Sequence, residues 1–189
     1  MADANLADGE PIHAESFFSV SQTGEVHERL YFEYRDYDGY YFDLLKDNEA
    51  FGEEIAKLSS NMQYYLDQER VEFNGERVMS IVRYTDIVMK GETNFVAVLY
   101  LIDFAGRFTP STNTIETWLE REIAPYDFEI IWRFPAGTTI EQIETDLEFE
   151  IYRDFVVLWA LEGDDVGGYE RMTFELPEKT LDTRHMVED

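Results

Sequence analysis

Along most of this 189-residue chain apolar side chains return at every second position, a period that only extended strands satisfy. From Val26 to Tyr34, the residues Leu30, Phe32 and Tyr34 fall on one face, and Gly39 separates this strand from an extended run over Tyr40–Leu45. The sharpest local signal is Val71-Glu72-Phe73-Asn74-Gly75-Glu76-Arg77-Val78. Asn-Gly tolerates positive φ at both central positions of a type I′ turn, so two strands are expected to pair here with Glu72 opposite Arg77. The second strand is expected to run on through Ile81 to Met89, turn at Lys90-Gly91 and return over Thr93–Phe104. Within that return Phe95–Ile102 has no polar alternation, which predicts a central strand covered on both faces.

Beyond Pro110 the alternation continues in short runs: Thr114–Glu120, then Phe128, Ile130, Trp132 and Phe134, then Ile143–Ile151, Phe155–Leu161 and Tyr169–Leu176. Gly163–Gly168 reads as a loop. One segment keeps the helical period. Phe51, Ile55, Leu58, Met62 and Tyr65 recur at three and four residues behind a capping Asp47 or Asn48, with Glu49, Glu53 and Glu54 suited to the positive end of the helix dipole. Together these features predict a mainly antiparallel β-sandwich, or a partly open barrel, with one amphipathic helix at about 48–67. A single domain is expected over 16–177, with flexible tails at 1–15 and 178–189 and a subdivision, if any, near 106–113. No repeat of 20 to 50 residues points to a solenoid or propeller.

Charge bears on function more than on fold. The chain has 41 acidic and 15 basic residues and a formal net charge of -26. The excess is global: 9 basic and 21 acidic residues precede Ser111, and 6 basic and 20 acidic follow. Such a surface repels polyanions and anionic bilayers, which argues against nucleic-acid and membrane partners. With 44% hydrophobic and 15% aromatic residues the chain can nonetheless bury a core, so the acidity is not that of a disordered segment. Lys occurs at only four positions (46, 57, 90 and 179), whereas Arg occurs at eleven. This bias suits a high-salt interior, where screening removes the self-repulsion. Cysteine is absent, which excludes disulfides and thiolate chemistry. Met1–Asp8 lacks the basic and apolar stretches of a signal peptide, and a cytoplasmic location is expected.

No motif assigns a reaction. His13 and His185 lie in the expected tails, and His27-Glu28 lacks the second His of a zinc motif because position 31 is Tyr31. The Gly163–Gly168 segment carries carboxylates that would repel a phosphate. Asp36-Tyr37-Asp38-Gly39 starts like a calcium loop, but Tyr40 stands at the next ligand position and Asp47 where a bidentate Glu is needed. A divalent cation such as calcium remains the one cofactor the sequence brings up.

Two clusters are the candidate binding residues. Asp36, Tyr37, Asp38, Tyr40 and Tyr41 place Tyr beside Asp at one turn, a pairing that gives large contact area at little entropic cost. Glu144, Asp146, Glu148 and Glu150 would share one face of a single strand whose Ile143, Leu147, Phe149 and Ile151 point inward, so that four like charges stand in a row about 7 Å apart. Such a row either faces solvent or serves a cation or a basic partner. The expectation is a non-enzymatic binding or interaction protein with a protein partner or self-association. The alternatives are a small-ligand binder or enzyme with a cleft lined by carboxylates and Tyr, using a divalent metal or acid/base carboxylates, and an acidic mimic of nucleic acid. An enclosed cavity with converging polar groups would favour the small-ligand reading.

Overall fold

The computed structural model describes residues 9–177. Twelve strands form two sheets. Sheet A contains β1 (Glu10–Val20), β2 (Glu25–Arg35), β5 (Ser80–Met89), β6 (Phe95–Ala105), β8 (Asp127–Arg133), β10 (Glu148–Tyr152) and β11 (Phe155–Ala160), in the order β10-β11-β8-β1-β2-β6-β5. Sheet B contains β3 (Arg70–Phe73), β4 (Glu76–Val78), β7 (Thr112–Ile123), β9 (Thr139–Glu144) and β12 (Asp165–Glu175), in the order β4-β3-β7-β12-β9. Among the described residues β1 and β8 run parallel, and the other neighbouring strands are antiparallel. The architecture is the expected sandwich, not a closed barrel. Its core is one apolar cluster drawn from both sheets and the long helix, with Val26, Phe73, Val98, Ile115 and Phe174 nearly inaccessible to solvent.

The helical segment behaves as its period predicts. Helix α2 spans Asn48–Leu66, with Asp47 as N-cap accepting from the amides of Glu49 and Ala50. Its buried face is Glu54, Leu58, Met62 and Leu66, with Phe51 and Ile55 packed beside it. At the far end Gln63 acts as a short piece of strand: its amide nitrogen donates to the Ser80 carbonyl at 3.0 Å and its oxygen accepts from the Val82 amide at 2.9 Å. This closes the start of β5, an edge strand of sheet A, and a register shift between Val82 and Tyr84 kinks that edge.

The hairpin also matches its sequence. Asn74 and Gly75 have φ of 53° and 78°, and Glu72 pairs with Arg77. Elsewhere the structure departs from the alternation. Tyr40–Leu44 is a short helix, α1, and not a strand, because both Asp36 carboxylate oxygens accept from the amides of Tyr40 and Tyr41, at 3.0 and 2.8 Å, and so fix the first turn. The run after the hairpin is two strands in different sheets: Val78 pairs with Val71 in sheet B, Ser80 pairs with Phe104 in sheet A, and exposed Met79 is the crossing point. Strand β6 is flanked on both sides but lies second from the edge, and Leu101 on its outer face is exposed.

Ile143–Ile151 is likewise not one strand. Thr145 Oγ1 accepts from the Leu147 amide at 3.1 Å and donates to Glu170 at 3.0 Å, and this corner ends β9 in sheet B and starts β10 in sheet A. At the N-terminal end, ordered structure begins earlier than expected, since β1 starts at Glu10 and includes His13. Strand β12 reaches back to Asp165 and absorbs most of the expected loop. Residues 106–111 carry the chain from sheet A to sheet B. Residues 1–8 and 178–189, including His185, lie outside the described residues.

Candidate functional site: a cavity between the sheets

Strand alternation turns one face of each sheet toward the other, and near the end of α2 the two faces leave a partly open cavity of about 160 Å³ between them. Sheet A contributes Ser16 and Phe18 of β1, Glu28, Leu30 and Phe32 of β2, Phe104 of β6, and Phe128, Ile130 and Trp132 of β8. Sheet B contributes Val71 and Phe73 of β3, Thr117 and Leu119 of β7, and Val166, Gly167 and Glu170 of β12. Met62, Tyr65, Leu66 and Glu69 close it from the helix side, and Leu147 closes it from the β9–β10 corner. Phe18 and Trp132 stack with ring centroids 3.9 Å apart and planes 3° from parallel, forming a flat aromatic wall. Gly167 is needed where it stands: φ is 85° in a bulge, and a Cβ there would lie 2.1 Å from the Glu120 carbonyl oxygen.

Three carboxyl groups face this apolar space. Glu28 occupies the inward stripe of β2, between Val26 and Leu30, and is only 8% exposed. Its Oε1 accepts from the Ser16 hydroxyl at 2.6 Å. Burial pushes its carboxyl up to about 8, partly offset by the Ser16 hydrogen bond and reinforced by the charge of Glu69. At neutral pH Glu28 is therefore mostly a neutral acid. Burial also raises Glu69 above the ordinary carboxyl range. Glu170 is raised by burial as well, with the Thr145 hydroxyl working against the shift and Asp146 adding to it. Among the described residues that line the cavity there is no Lys, Arg or His.

None of the candidate binding residues of the two sequence clusters lines this cavity. Asp36 is fully buried and holds the first turn of α1, Tyr41 is buried, and Tyr37, Asp38 and Tyr40 are exposed around it. Tyr37 donates to Glu10 at 2.8 Å and accepts from Arg35 at 3.2 Å. The four acids of the expected row are divided: Glu144 lies 3.8 Å from Arg171 in sheet B, Asp146 accepts from Arg121 at 2.6 Å at the corner, and Glu148 and Glu150 are exposed on β10. Phe149 and Ile151, expected inside, are exposed at 40% and 45% because β10 is the sheet edge. Among the described residues no group of three or more His, Asp or Glu side chains is placed to hold a metal ion. His27 Nδ1 lies 2.7 Å from Asp103, which also accepts from Arg83 at 2.9 Å; these bonds hold Asp103 below the usual carboxylate range, chiefly through His27.

The alternation could have found two of the three cavity acids. Glu28 shares the parity of Val26, Leu30, Phe32 and Tyr34, and Glu170 shares that of Met172, Phe174 and Leu176. A charged residue in phase with a buried stripe is the signal.

No protein-family model matches the chain, and no curated protein matches it. Among solved structures, 92% of the chain aligns with a protein from Parabacteroides distasonis ATCC 8503 described as a "putative protease", at a TM-score of 0.33 and 8% identity. The chain spans 41% of that protein's length, and a likeness at this TM-score carries no argument. Among the described residues no helix is long and apolar enough to cross a membrane.

Proposed function

We propose that this chain is a non-enzymatic binding protein that holds a small, largely apolar molecule between its two sheets. The observation that carries the reading is the cavity of about 160 Å³, walled by aromatic and aliphatic side chains with a few polar groups turned inward. Protein cores hold few voids larger than a water molecule. An apolar cavity of about 150 Å³ is known to stay dry and take up benzene, so this space admits one six-membered ring with a small substituent. The acidic, cysteine-free composition supports a cytoplasmic setting, and the negative surface supports partners other than nucleic acid.

The test is a titration with toluene, followed by Trp fluorescence and by melting temperature. Toluene should raise the melting temperature of the wild type, and Leu30→Phe, which puts a ring into the same space, should abolish the effect. A toluene response that is absent in the wild type, or equal in both proteins, would refute the reading.

A second reading, association with a protein partner or another copy, is favoured by β10. This edge strand is exposed along its whole length, and it presents Phe149, Ile151 and Tyr152 to solvent.

A further inference from the structure

We infer that the outer face of sheet A is a self-association surface, on which a second copy of this chain packs face to face about a two-fold axis along β1. This surface is separate from the cavity and from the open edge at β10. Two strands point to it. Phe95–Ile102 of β6 and Phe155–Ala160 of β11 are apolar without alternation, the pattern of strands covered on both faces. In the fold only one face of each is covered. Val98, Tyr100, Val156 and Leu158 lie in the core, whereas Leu99, Leu101, Val157 and Trp159 turn outward and neither join the core cluster nor pack against it.

The strand registers join these outward residues into one stripe. Val157 of β11, Ile131 of β8, Phe17 of β1, Arg29 of β2, Leu101 of β6 and Tyr84 of β5 stand side by side across six strands. Arg29 does not interrupt the stripe, because its guanidinium lies over the rings of Phe17 and Tyr31, at 5.7 and 5.3 Å from their centroids, and pairs with Glu15 at 3.1 Å. A contiguous apolar face of this extent is uncommon on a protein that stays alone.

Area, charge and symmetry select a second copy as its cover. Seven strands ~4.8 Å apart, with about three outward residues each, give a face of roughly 600 Å² per copy. Two such faces bury about 1,200 Å², above the roughly 1,000 Å² that a specific interface needs. On a chain of net charge -26 most surfaces repel an identical surface. Here, however, cations stand beside the acids: Arg29 pairs with Glu15, Lys90 with Glu33 at 2.9 Å and Arg83 with Asp103 at 2.9 Å. A basic partner would gain little from carboxylates that already have cations. Glu129, Glu148 and Glu150, which belong to the same face, have no ion pair among the described residues, so association should tighten as salt screens them.

The symmetry follows from strand order. Strand β1 is the middle of the seven, with three strands on each side. A two-fold axis along it sets Phe17 of one copy over Phe17 of the other, and Val157 over Leu101 in both directions, so the stripe meets itself along its length.

The experiment is sedimentation equilibrium of the full chain in molar KCl, with melting curves to show that each variant is folded. The wild type should sediment at twice the mass of the chain. Leu101→Glu, at an exposed position of the stripe, should weaken the dimer at least tenfold, whereas Ile151→Glu on β10 should leave it within threefold of wild type. Because the chain has no cysteine, a single introduced thiol reports proximity without Leu101→Glu having to fold. Packed sheets stand ~10 Å apart. A short bis-maleimide should therefore link Ser19→Cys, on the outer face of β1, into a covalent dimer, and should not link Gln142→Cys on sheet B. A wild type that sediments as a monomer in molar KCl would overturn the inference. So would a dimer that survives Leu101→Glu, or crosslinking of Gln142→Cys and not Ser19→Cys. A dimer lost in Ile151→Glu alone would assign self-association to the β10 edge instead, and would equally overturn the face.

Discussion

Asn74 and Asn113 meet side chain to side chain, the Asn74 amide nitrogen donating to the Asn113 oxygen at 3.0 Å, and the pair fastens the β3–β4 hairpin to the segment that brings the chain into sheet B. Asn113 is fully buried; its oxygen also accepts from the Thr109 amide at 2.7 Å, and its nitrogen donates to the carbonyls of Thr109 and Ser111. Asn74 in turn donates to the Arg107 carbonyl and accepts from the Thr114 amide. It therefore provides both the left-handed turn and the anchor.

These two roles separate by mutation. A Cβ at Gly75 would meet no neighbouring atom, but Gly75→Val must adopt a φ of 78° and should destabilise by about 1–3 kcal/mol through backbone strain. Asn74→Gly keeps the turn and loses the anchor, and should cost about 1–2 kcal/mol. Urea unfolding measures both; an Asn74→Gly protein as stable as wild type would show that the turn alone matters.

Glu28 gives the fold a pH dependence of known sign. Its carboxyl is raised from 4.5 to about 8 in the folded state, so between those values the folded protein binds more protons than the unfolded chain. The stability that Glu28 contributes is complete below pH 4.5 and is lost as pH rises through about 8. Glu28→Gln should flatten that fall and, at pH 9, be more stable than wild type by roughly 2–5 kcal/mol. Parallel stability curves for the two proteins from pH 5 to 9 would mean that Glu28 is not desolvated in solution.

The salt response tests the acidic composition. Screening of the -26 charge should raise the melting temperature by several degrees between low salt and molar KCl. A melting temperature that does not move over this range would remove the case for adaptation to high salt.

On β10, replacing Glu148 and Glu150 with Gln should leave stability unchanged or raise it by up to about 0.5 kcal/mol, since like charges are relieved. Asp146→Asn, which gives up the Arg121 pair, should cost about 0–1 kcal/mol, as exposed ion pairs do. Millimolar calcium should stabilise the wild type no more than KCl of matched ionic strength. A calcium gain that disappears in the Glu148, Glu150 double variant would instead assign a cation to this strand.

What was legible in the sequence was whatever local chemistry decides. The Asn74-Gly75 turn, the Asp47-capped helix and the inward stripe of β2 depend on neighbours within a few residues, and all three stand where the pattern puts them. The sheet exchanges at Met79 and at Thr145–Leu147 were hidden, because period two continues across a corner as readily as along a strand. The aromatic run at Tyr40 was hidden too, since five residues are too few to tell a helix from a strand once Asp36 supplies the cap from outside the run. Glu28 and Glu170, two of the three cavity acids, were within reach of the pattern, yet counting 41 carboxylates obscured the phase that sets them apart.

The two ends of sheet A are unlike, and that fixes what kind of assembly its backbone permits. At β5 the Gln63 amide occupies Ser80 and Val82 and the register shift near Arg83 kinks the edge, which disfavours an incoming strand there, whereas among the described residues β10 has neither device. A sheet with one open end has a valence of one. Two copies that pair through β10 consume both open ends, so growth in that direction stops at a closed two-fold dimer and does not continue into a fibre.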